Sequence, residues 1–500
     1  MVVQKPREIA ALVLKRHSAG TGHVETLLSK ALEQASLSSR DRSLCQELVY
    51  GVIRWQATLD WLVSRKAKSC TQKPMLRTLL RLGLYQLFWL DRIPAHAAVH
   101  ETVELAKRYG FGHQSGFINA VLRGYVLEFD ATKRALADLK ITHPHLGYSH
   151  PEWLWAKWQA RWGKDNTACL MEWNNTPAPT YARVNTLKTN PTELLARWRS
   201  EMVEYDFFCA DWLPENLVFK LKSYPPLAQL PSFQQGLFYV QDPSTLLAVH
   251  ELDPHRGETI LDCCAAPGGK TTCIAQLMQN RGLITAEDIS EERIRLLREN
   301  CRRLGVACVK TVLIPTNRPS TSKLSLTAEK DFFNELQAHL QQHYEHAPED
   351  VAGSIPAKQA AAKDKGETGS RGSSVPAEQT LPGPATKDRY DKILVDSPCS
   401  NTGVMRRRVD LRWRINSEEL KRLQAVQIGL LRRAATQLKP GGVLVYCTCS
   451  LETEENQQVI SRFVAEYPEF TLERERELVP FVDRVDGSYV AKLRRQPAKG

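Results

Sequence analysis

The sequence predicts an α/β protein in which a Rossmann-like domain with a parallel, doubly wound sheet follows a small α/β module and an all-α domain. Three observations lead there. Apolar residues recur at helical spacing up to about residue 130 with almost no strand signal. From about residue 236, short apolar runs alternate with helical periods, as expected of a parallel sheet covered by helices. A Gly-rich turn, Ala265-Ala266-Pro267-Gly268-Gly269-Lys270, separates the first of those runs from the helix after it.

The elements follow in order. Leu76, Leu79, Leu80, Leu84, Leu87 and Leu90 carry the helical period of an all-α domain over residues 1–140. His96 and His100 lie in that region, and we expect no metal role for them. Trp153, Trp155, Trp158, Trp162 and Trp173 then interleave with Lys157, Arg161 and Lys164. Aromatics among cations can stack on bases, but at this spacing they predict one packed helix face. Thr180-Tyr181-Ala182-Arg183-Val184-Asn185-Thr186 alternates like a strand and precedes a helical segment from Pro191 to Trp198, giving a small α/β module over residues 145–235. The Rossmann-like domain spans 236–495. Its strands are Thr259-Ile260-Leu261, Leu283-Ile284-Thr285-Ala286, Lys392-Ile393-Leu394-Val395 and Val443-Leu444-Val445-Tyr446, the last preceded by the turn Pro440-Gly441-Gly442. Ser290 caps a helix whose Ile294, Leu297, Cys301 and Leu304 share one face before Gly305 stops it. Residues from about 316 to 388 break the pattern; their second half has too few large apolar side chains to pack and reads as a disordered surface insertion. Phe332, Phe333 and Leu336 suggest one short helix in the first half.

Composition sets the bounds. The 500 residues leave room for roughly two to four domains, and 42% apolar residues suffice for real cores. With 67 basic and 56 acidic residues the net charge of +11 favours a polyanionic partner such as nucleic acid. The first residues lack the apolar stretch of a secretory signal and no run is long enough to span a bilayer, so we expect a cytoplasmic protein with no membrane partner. In that compartment the 12 cysteines stay reduced, and no two have Cys-x-x-Cys spacing, which argues against a zinc site. We expect a monomer without a metal.

The strand-to-helix turn is the first candidate site. A Gly-rich turn lets backbone approach a ligand, and the following helix N-terminus receives negative groups. Asp288 ends the second strand 20 residues after Gly268, where a carboxylate meets ribose hydroxyls. Gly269-Lys270-Thr271 invites a phosphate-binding P-loop reading, but that motif needs glycine where Cys264 stands.

Two cysteines lie beyond later strands, in Asp396-Ser397-Pro398-Cys399-Ser400 and in Tyr446-Cys447-Thr448-Cys449-Ser450. These segments, with residues 262–272, resemble the Sun/RsmB family of RNA cytosine-5 methyltransferases. Glu47-Leu48-Val49-Tyr50-Gly51-Val52-Ile53-Arg54-Trp55 and Phe117-Ile118-Asn119-Ala120-Val121-Leu122-Arg123 are similar to the NusB-like RNA-binding domain of the RsmB branch. Arg183-Val184-Asn185, Gln241-Asp242-Pro243-Ser244 and Glu454-Glu455-Asn456 match further family segments. The resemblance implies a class I methyltransferase fold and S-adenosylmethionine held by Cys264, Ala265, Ala266, Pro267, Gly268, Gly269, Lys270, Asp288 and Asp396. It also implies small-subunit (16S) ribosomal RNA as substrate and partner.

Such chemistry explains the residue types. Carbon 5 of cytosine is a poor nucleophile until a thiolate adds at carbon 6. A carboxyl group must meet the charge that develops at N3, and Asp396 is the candidate. The C5 proton and the enzyme sulfur must then leave, which gives a second thiol a purpose. The resemblance assigns Cys449 as nucleophile and Cys399 as the group assisting release; sequence physics alone does not order them. Arg406, Arg407 and Arg408, followed by Arg412 and Arg414, read as a basic loop for phosphates around an extruded base, and Arg183 is a further expected RNA contact. The chain departs from the family at Ser397, at Cys447, which we expect to fill space, and at Val312-Leu313-Ile314-Pro315-Thr316-Asn317, which lacks the usual acid for adenine. Two other readings are an RNA-binding assembly factor with a vestigial enzyme fold, which loss of a catalytic group would favour, and DNA cytosine methylation, which leaves the second cysteine without purpose.

Overall fold

The computed structural model describes residues 5–20, 22–67, 73–315 and 390–497. The expected insertion and its short helix at Phe332, Phe333 and Leu336 lie outside them.

The N-terminal part is helical: α1 (Pro6–Ser18), α2 (Val24–Gln34), α3 (Ser39–Arg54), α4 (Gln56–Lys66), α5 (Pro74–Trp89), α6 (Ala95–Arg108), α7 (Ser115–Leu127) and α8 (Phe129–Thr142). Helix α5 is buried over most of its surface, including Leu76, Leu79, Leu80, Leu84 and Leu87, while Leu90 lies just past its end. Ser38 caps α3 by accepting from Asp41 N. Within α3, Gly51 is needed for packing: a Cβ there would lie 2.0 Å from the Tyr85 ring of α5.

Helix α9 (Glu152–Asn175) kinks at Gly163, whose φ is 78°. Trp153, Trp155, Trp158 and Trp162 form the expected packed face, whereas Trp173, beyond the kink, lies under the Arg406 guanidinium. Trp155 and Trp158 are buried with Met405, Ile415, Leu420 and Leu451, so α9 seals the loops that follow the later strands. The small module is an antiparallel sheet of order β2-β3-β1-β4, made of β1 (Thr180–Val184), β2 (Glu204–Phe208), β3 (Val218–Ser223) and β4 (Phe238–Val240). Helix α10 (Pro191–Ser200) buries Trp198 against it. The fourth strand lies just beyond residue 235, so the small sheet takes more of the chain than its sequence pattern suggests.

The larger sheet has order β10-β11-β9-β8-β5-β6-β7, from β5 (Thr259–Cys263), β6 (Leu283–Asp288), β7 (Val309–Leu313), β8 (Tyr390–Asp396), β9 (Leu438–Thr448), β10 (Phe470–Leu478) and β11 (Ser488–Arg495). β7, β6, β5, β8 and β9 run parallel, and β11 and β10 add an antiparallel edge that the strand-helix alternation did not announce. Side chains alternate between two cores. Ile260, Leu394 and Val445 join α11 (Leu246–Leu252) and α12 (Gly269–Leu277) on one face. Leu261, Ile393, Val395 and Leu444 join α14 (Ser417–Ala435) and α15 (Gln457–Glu466) on the other. Helix α13 (Glu291–Leu304) buries the predicted face, with Ser290 capping it and Gly305 ending it at φ 74°. Pro440-Gly441-Gly442 lies inside β9 rather than before it.

The sheet order reverses direction between β5 and β8. In an open α/β sheet such a switch point opens a crevice at the carboxyl ends of the strands, and the residues singled out from sequence sit at those ends. Among the described residues no helix is long and apolar enough to cross a membrane.

Candidate active site

The crevice floor is the turn from β5 into α12. Gly268 has φ 105°, and a Cβ there would lie 2.4 Å from Leu297 Cδ1, so backbone conformation and close packing both require glycine. Arg183, expected at an RNA surface, is instead buried beneath this turn. It donates to Gly269 O at 2.9 Å, to Thr272 Oγ1 at 3.0 Å and to Gln241 Oε1, so the small sheet braces the start of α12.

Three carboxylates surround the turn. Asp262 is fully buried; its Oδ2 accepts from Thr271 Oγ1 at 2.6 Å, and its Oδ1 has no hydrogen-bond partner among the described residues. Burial pushes its carboxyl up to about 7. Asp288 ends β6 and accepts from Ala266 N at 3.3 Å and Ser290 N at 3.0 Å, with Arg293 3.3 Å away. Asp396 ends β8, 2.7 Å from the Lys270 ammonium. Burial opposes that ammonium's charge, but Asp396 outweighs it and holds the group well above its ordinary value. Cys264 lines the same turn with a thiol pushed up to about 12 by burial.

The strand ends also bring the two cysteines together. Cys399 Sγ lies 3.2 Å from Cys449 Sγ, and Cys449 Sγ lies 2.9 Å from Asn401 Oδ1. Asn401 has φ 58°, and its amide donates to Cys399 O at 2.7 Å, which fixes which amide atom meets the thiol. Cys399 is buried, whereas Cys449 is half-buried. The contact with Cys449, then burial, drives the Cys399 thiol well above its ordinary value. Cys447 is buried against Asp396 Oδ1 at 3.4 Å.

The basic loop departs from expectation. Arg406 is 4% exposed; its Nε donates to Asp486 Oδ1 at 2.6 Å and its guanidinium lies 4.0 Å above the Trp173 ring. Arg407 pairs with Asp486 and, at 2.8 Å, with Asp242. Both arginines are therefore occupied by two buried carboxylates, because a charge out of water needs a partner. Arg408 is exposed. Arg412 is fully buried and donates to Ser149 O at 3.2 Å, Asn174 O at 3.1 Å and Asn175 Oδ1 at 2.8 Å. Burial, then the charge of Arg54, lowers its guanidinium to about 9. Trp413 donates to Ile53 O at 2.9 Å, so the segment after Cys399 is fastened to the end of α3. There Arg77, Arg81, Gln56, His17, Trp413 and Arg414 line a cleft of about 560 Å³.

Sequence reasoning missed Asn401 and the role of Glu455. Asn401 had only the tolerance of asparagine for positive φ as a signal, and Glu455, though part of the family-like Glu454-Glu455-Asn456, was given no role.

Comparison with known proteins gives a consistent pattern. The NusB family model matches residues 4–126, the model for the ferredoxin-like domain of RsmF/B-like methyltransferases matches 150–218, and the 16S rRNA methyltransferase RsmB/F model matches 249–331 and 375–494. The chain is 31% identical over 469 residues to a probable ribosomal RNA small subunit methyltransferase B of Bacillus subtilis, covering 93% of this chain and 89% of that one. It is 32% identical to ribosomal RNA small subunit methyltransferase B of Klebsiella pneumoniae, covering 92% and 91%. Among solved structures, that of PH0851 superposes with a TM-score of 0.68 at 22% identity over 98% of this chain and 99% of that one. A methyltransferase homolog from Pyrococcus horikoshii does so with a TM-score of 0.50 at 27% identity, over 70% and 97%.

Proposed function

Because the chain belongs to the RsmB/F family of 16S rRNA methyltransferases, we propose that it methylates carbon 5 of a cytosine in small-subunit ribosomal RNA through a transient bond from Cys449 to carbon 6. The observation that carries this reading is the unequal thiol pair: an accessible Cys449 stands 3.2 Å from a buried Cys399 whose proton is held tightly.

The cofactor of this reading is S-adenosylmethionine, which supplies a methyl group on a positively charged sulfur. The residues present fit it. Asp262 keeps a buried, unpartnered carboxylate oxygen for a cationic or hydroxyl-bearing group, Gly268 clears the approach to the turn, and Asp288 stands at the end of β6, where a carboxylate would meet ribose hydroxyls. The acid expected after β7 is missing from the described residues there, but exposed Ile289 and Leu313 stand at the ends of β6 and β7 as apolar walls for an adenine ring.

The protein's own groups divide the remaining work. Cys449 adds to carbon 6 of the base, and electron density moves toward carbon 5. Asp396 accepts from the amidine edge of the cytosine, while the Lys270 cation stabilises negative charge building on the ring. After methylation the C5 proton passes to water, its bonding pair restores the C5–C6 double bond, and the carbon–sulfur bond breaks to release the Cys449 sulfur, with the protonated Cys399 thiol 3.2 Å away to donate it a hydrogen bond. RNA phosphates beyond the target base find cations in the cleft between α5 and the Trp413-Arg414 segment, where Arg77 is exposed and has no carboxylate partner among the described residues.

The test is incubation with labelled S-adenosylmethionine and undermethylated ribosomal RNA, followed by bisulfite mapping. Protection of one cytosine supports the proposal; label on another base or another ring atom overturns it.

A further inference from the structure

We propose that Glu455 is the positioning residue that sets the separation of the two active-site thiols, an inference that rests on the reading of Cys399 and Cys449 as a working pair. Each cysteine sits in its own turn, one after β8 and one after β9, and each is followed by a serine. The Glu455 carboxylate joins those serines. Its Oε2 accepts from Ser450 Oγ at 2.5 Å and from Ser400 Oγ, and the two hydroxyl oxygens lie 3.0 Å apart. Its Oε1 accepts from Ser400 N at 2.8 Å and from Gln427 Nε2 at 3.0 Å. Gln427 also donates to Pro398 O at 3.1 Å, adding α14 to the clamp.

An ionised carboxylate is an acceptor-only group with about four lone-pair positions, and here four donors occupy them. No capacity remains for substrate, so Glu455 acts through the cysteines rather than on the base. It is wholly buried, and burial raises its carboxyl above the ordinary range while the two serine hydroxyls oppose that shift. Its own carbonyl accepts from Tyr446 OH at 2.6 Å, anchoring the clamp to β9. Aspartate would be one methylene too short to span both turns. Glutamine keeps the span, because its amide can donate to serine hydroxyls that turn to accept. Alanine removes the carboxylate bridge and leaves the turns joined by Gly403 N donating to Cys449 O at 3.0 Å, Leu451 N donating to Thr402 Oγ1 at 2.9 Å, Cys449 Sγ on Asn401 Oδ1, and hydroxyl contacts of Ser450 with Ser400 and Thr402 that no buried charge holds.

The experiment uses full-length wild type, Glu455→Ala, Glu455→Gln and Ser450→Ala. Diamide oxidises neighbouring thiols to a disulfide, taking up two electrons and two protons to become the hydrazine, so the rate of Cys399–Cys449 disulfide formation, read by peptide mapping, reports sulfur separation without methylation chemistry. We expect Glu455→Ala to slow it about tenfold or more and to lower kcat about a hundredfold with little change in KM for S-adenosylmethionine, a loss typical of displacement by about 1 Å. Glu455→Gln should recover most of both rates. If Glu455→Ala does not fold, Ser450→Ala, which removes one donor, should show a smaller loss of both rates together. Wild-type disulfide rates in Glu455→Ala, or in Ser450→Ala where that is the folded variant, would overturn the proposal. Failure of the covalent reading would appear separately, as methylation that survives Cys449→Ala.

Discussion

Cys399 Sγ lies 3.2 Å from Cys449 Sγ, and the contact is asymmetric: Cys399 is buried with its thiol driven upward, while Cys449 is half-buried. A thiol that holds its proton is a poor nucleophile, but at 3.2 Å it can donate a hydrogen bond to the neighbouring sulfur as that sulfur leaves. We therefore expect Cys449→Ala to abolish methylation and Cys399→Ala to accumulate a covalent protein–RNA adduct on a denaturing gel. An adduct with Cys449→Ala and none with Cys399→Ala would exchange the two roles.

Lys270 stands 2.7 Å from Asp396 in a largely buried setting. Lys270→Met should remove the cation that offsets ring charge and lower kcat about a hundredfold. Single-turnover methylation at saturating RNA checks it.

Asp262 gives the structure a pH signature. Its folded-state carboxyl is pushed up to about 7 by burial, against about 3.9 in an unfolded chain. Between those values the folded protein binds the extra proton, so its contribution is fully present below about 4 and is lost as pH rises toward about 7. Thermal unfolding of the cofactor-free protein should show stability falling across that interval, and Asp262→Asn should flatten the slope. An unchanged slope in the variant would refute it.

Arg406 is sealed between Asp486, Asp242 and the Trp173 ring. Arg406→Ala leaves buried carboxylates short of a partner, and we expect a loss of about 3–5 kcal/mol in urea unfolding. The salt dependence of RNA binding by the remaining folded protein should not change.

Arg77 faces the cleft beside Trp413 and Arg414. Arg77→Ala should reduce the slope of log affinity for ribosomal RNA against log salt by about 1, with kcat at saturating RNA unaffected. A slope equal to wild type would place the phosphates elsewhere.

Much of the site was legible because its demands are local. Gly268 is dictated by a turn whose φ only glycine tolerates, Ser290 and Gly305 by the two ends of one helix, and the cysteines by their positions just past apolar strands. The arginines misled for the opposite reason: Arg406 and Asp486 are 80 residues apart, and a run of three basic residues looks the same whether its charges face water or buried acids. Arg183 likewise reads as a surface cation until Gly269 O is seen 2.9 Å from it.

By itself the amino-acid order determined the strand–turn–helix units, the helical and parallel-sheet character of the domains, and which thiols and carboxylates stand at strand ends, since periodicity and backbone conformation belong to short stretches of chain. Only the tertiary structure decided which thiol is accessible, which cations are spent on acids, and that Glu455 ties two distant turns together. Burial, charge pairing and proton affinity depend on neighbours brought from elsewhere in the chain, and no local pattern specifies them.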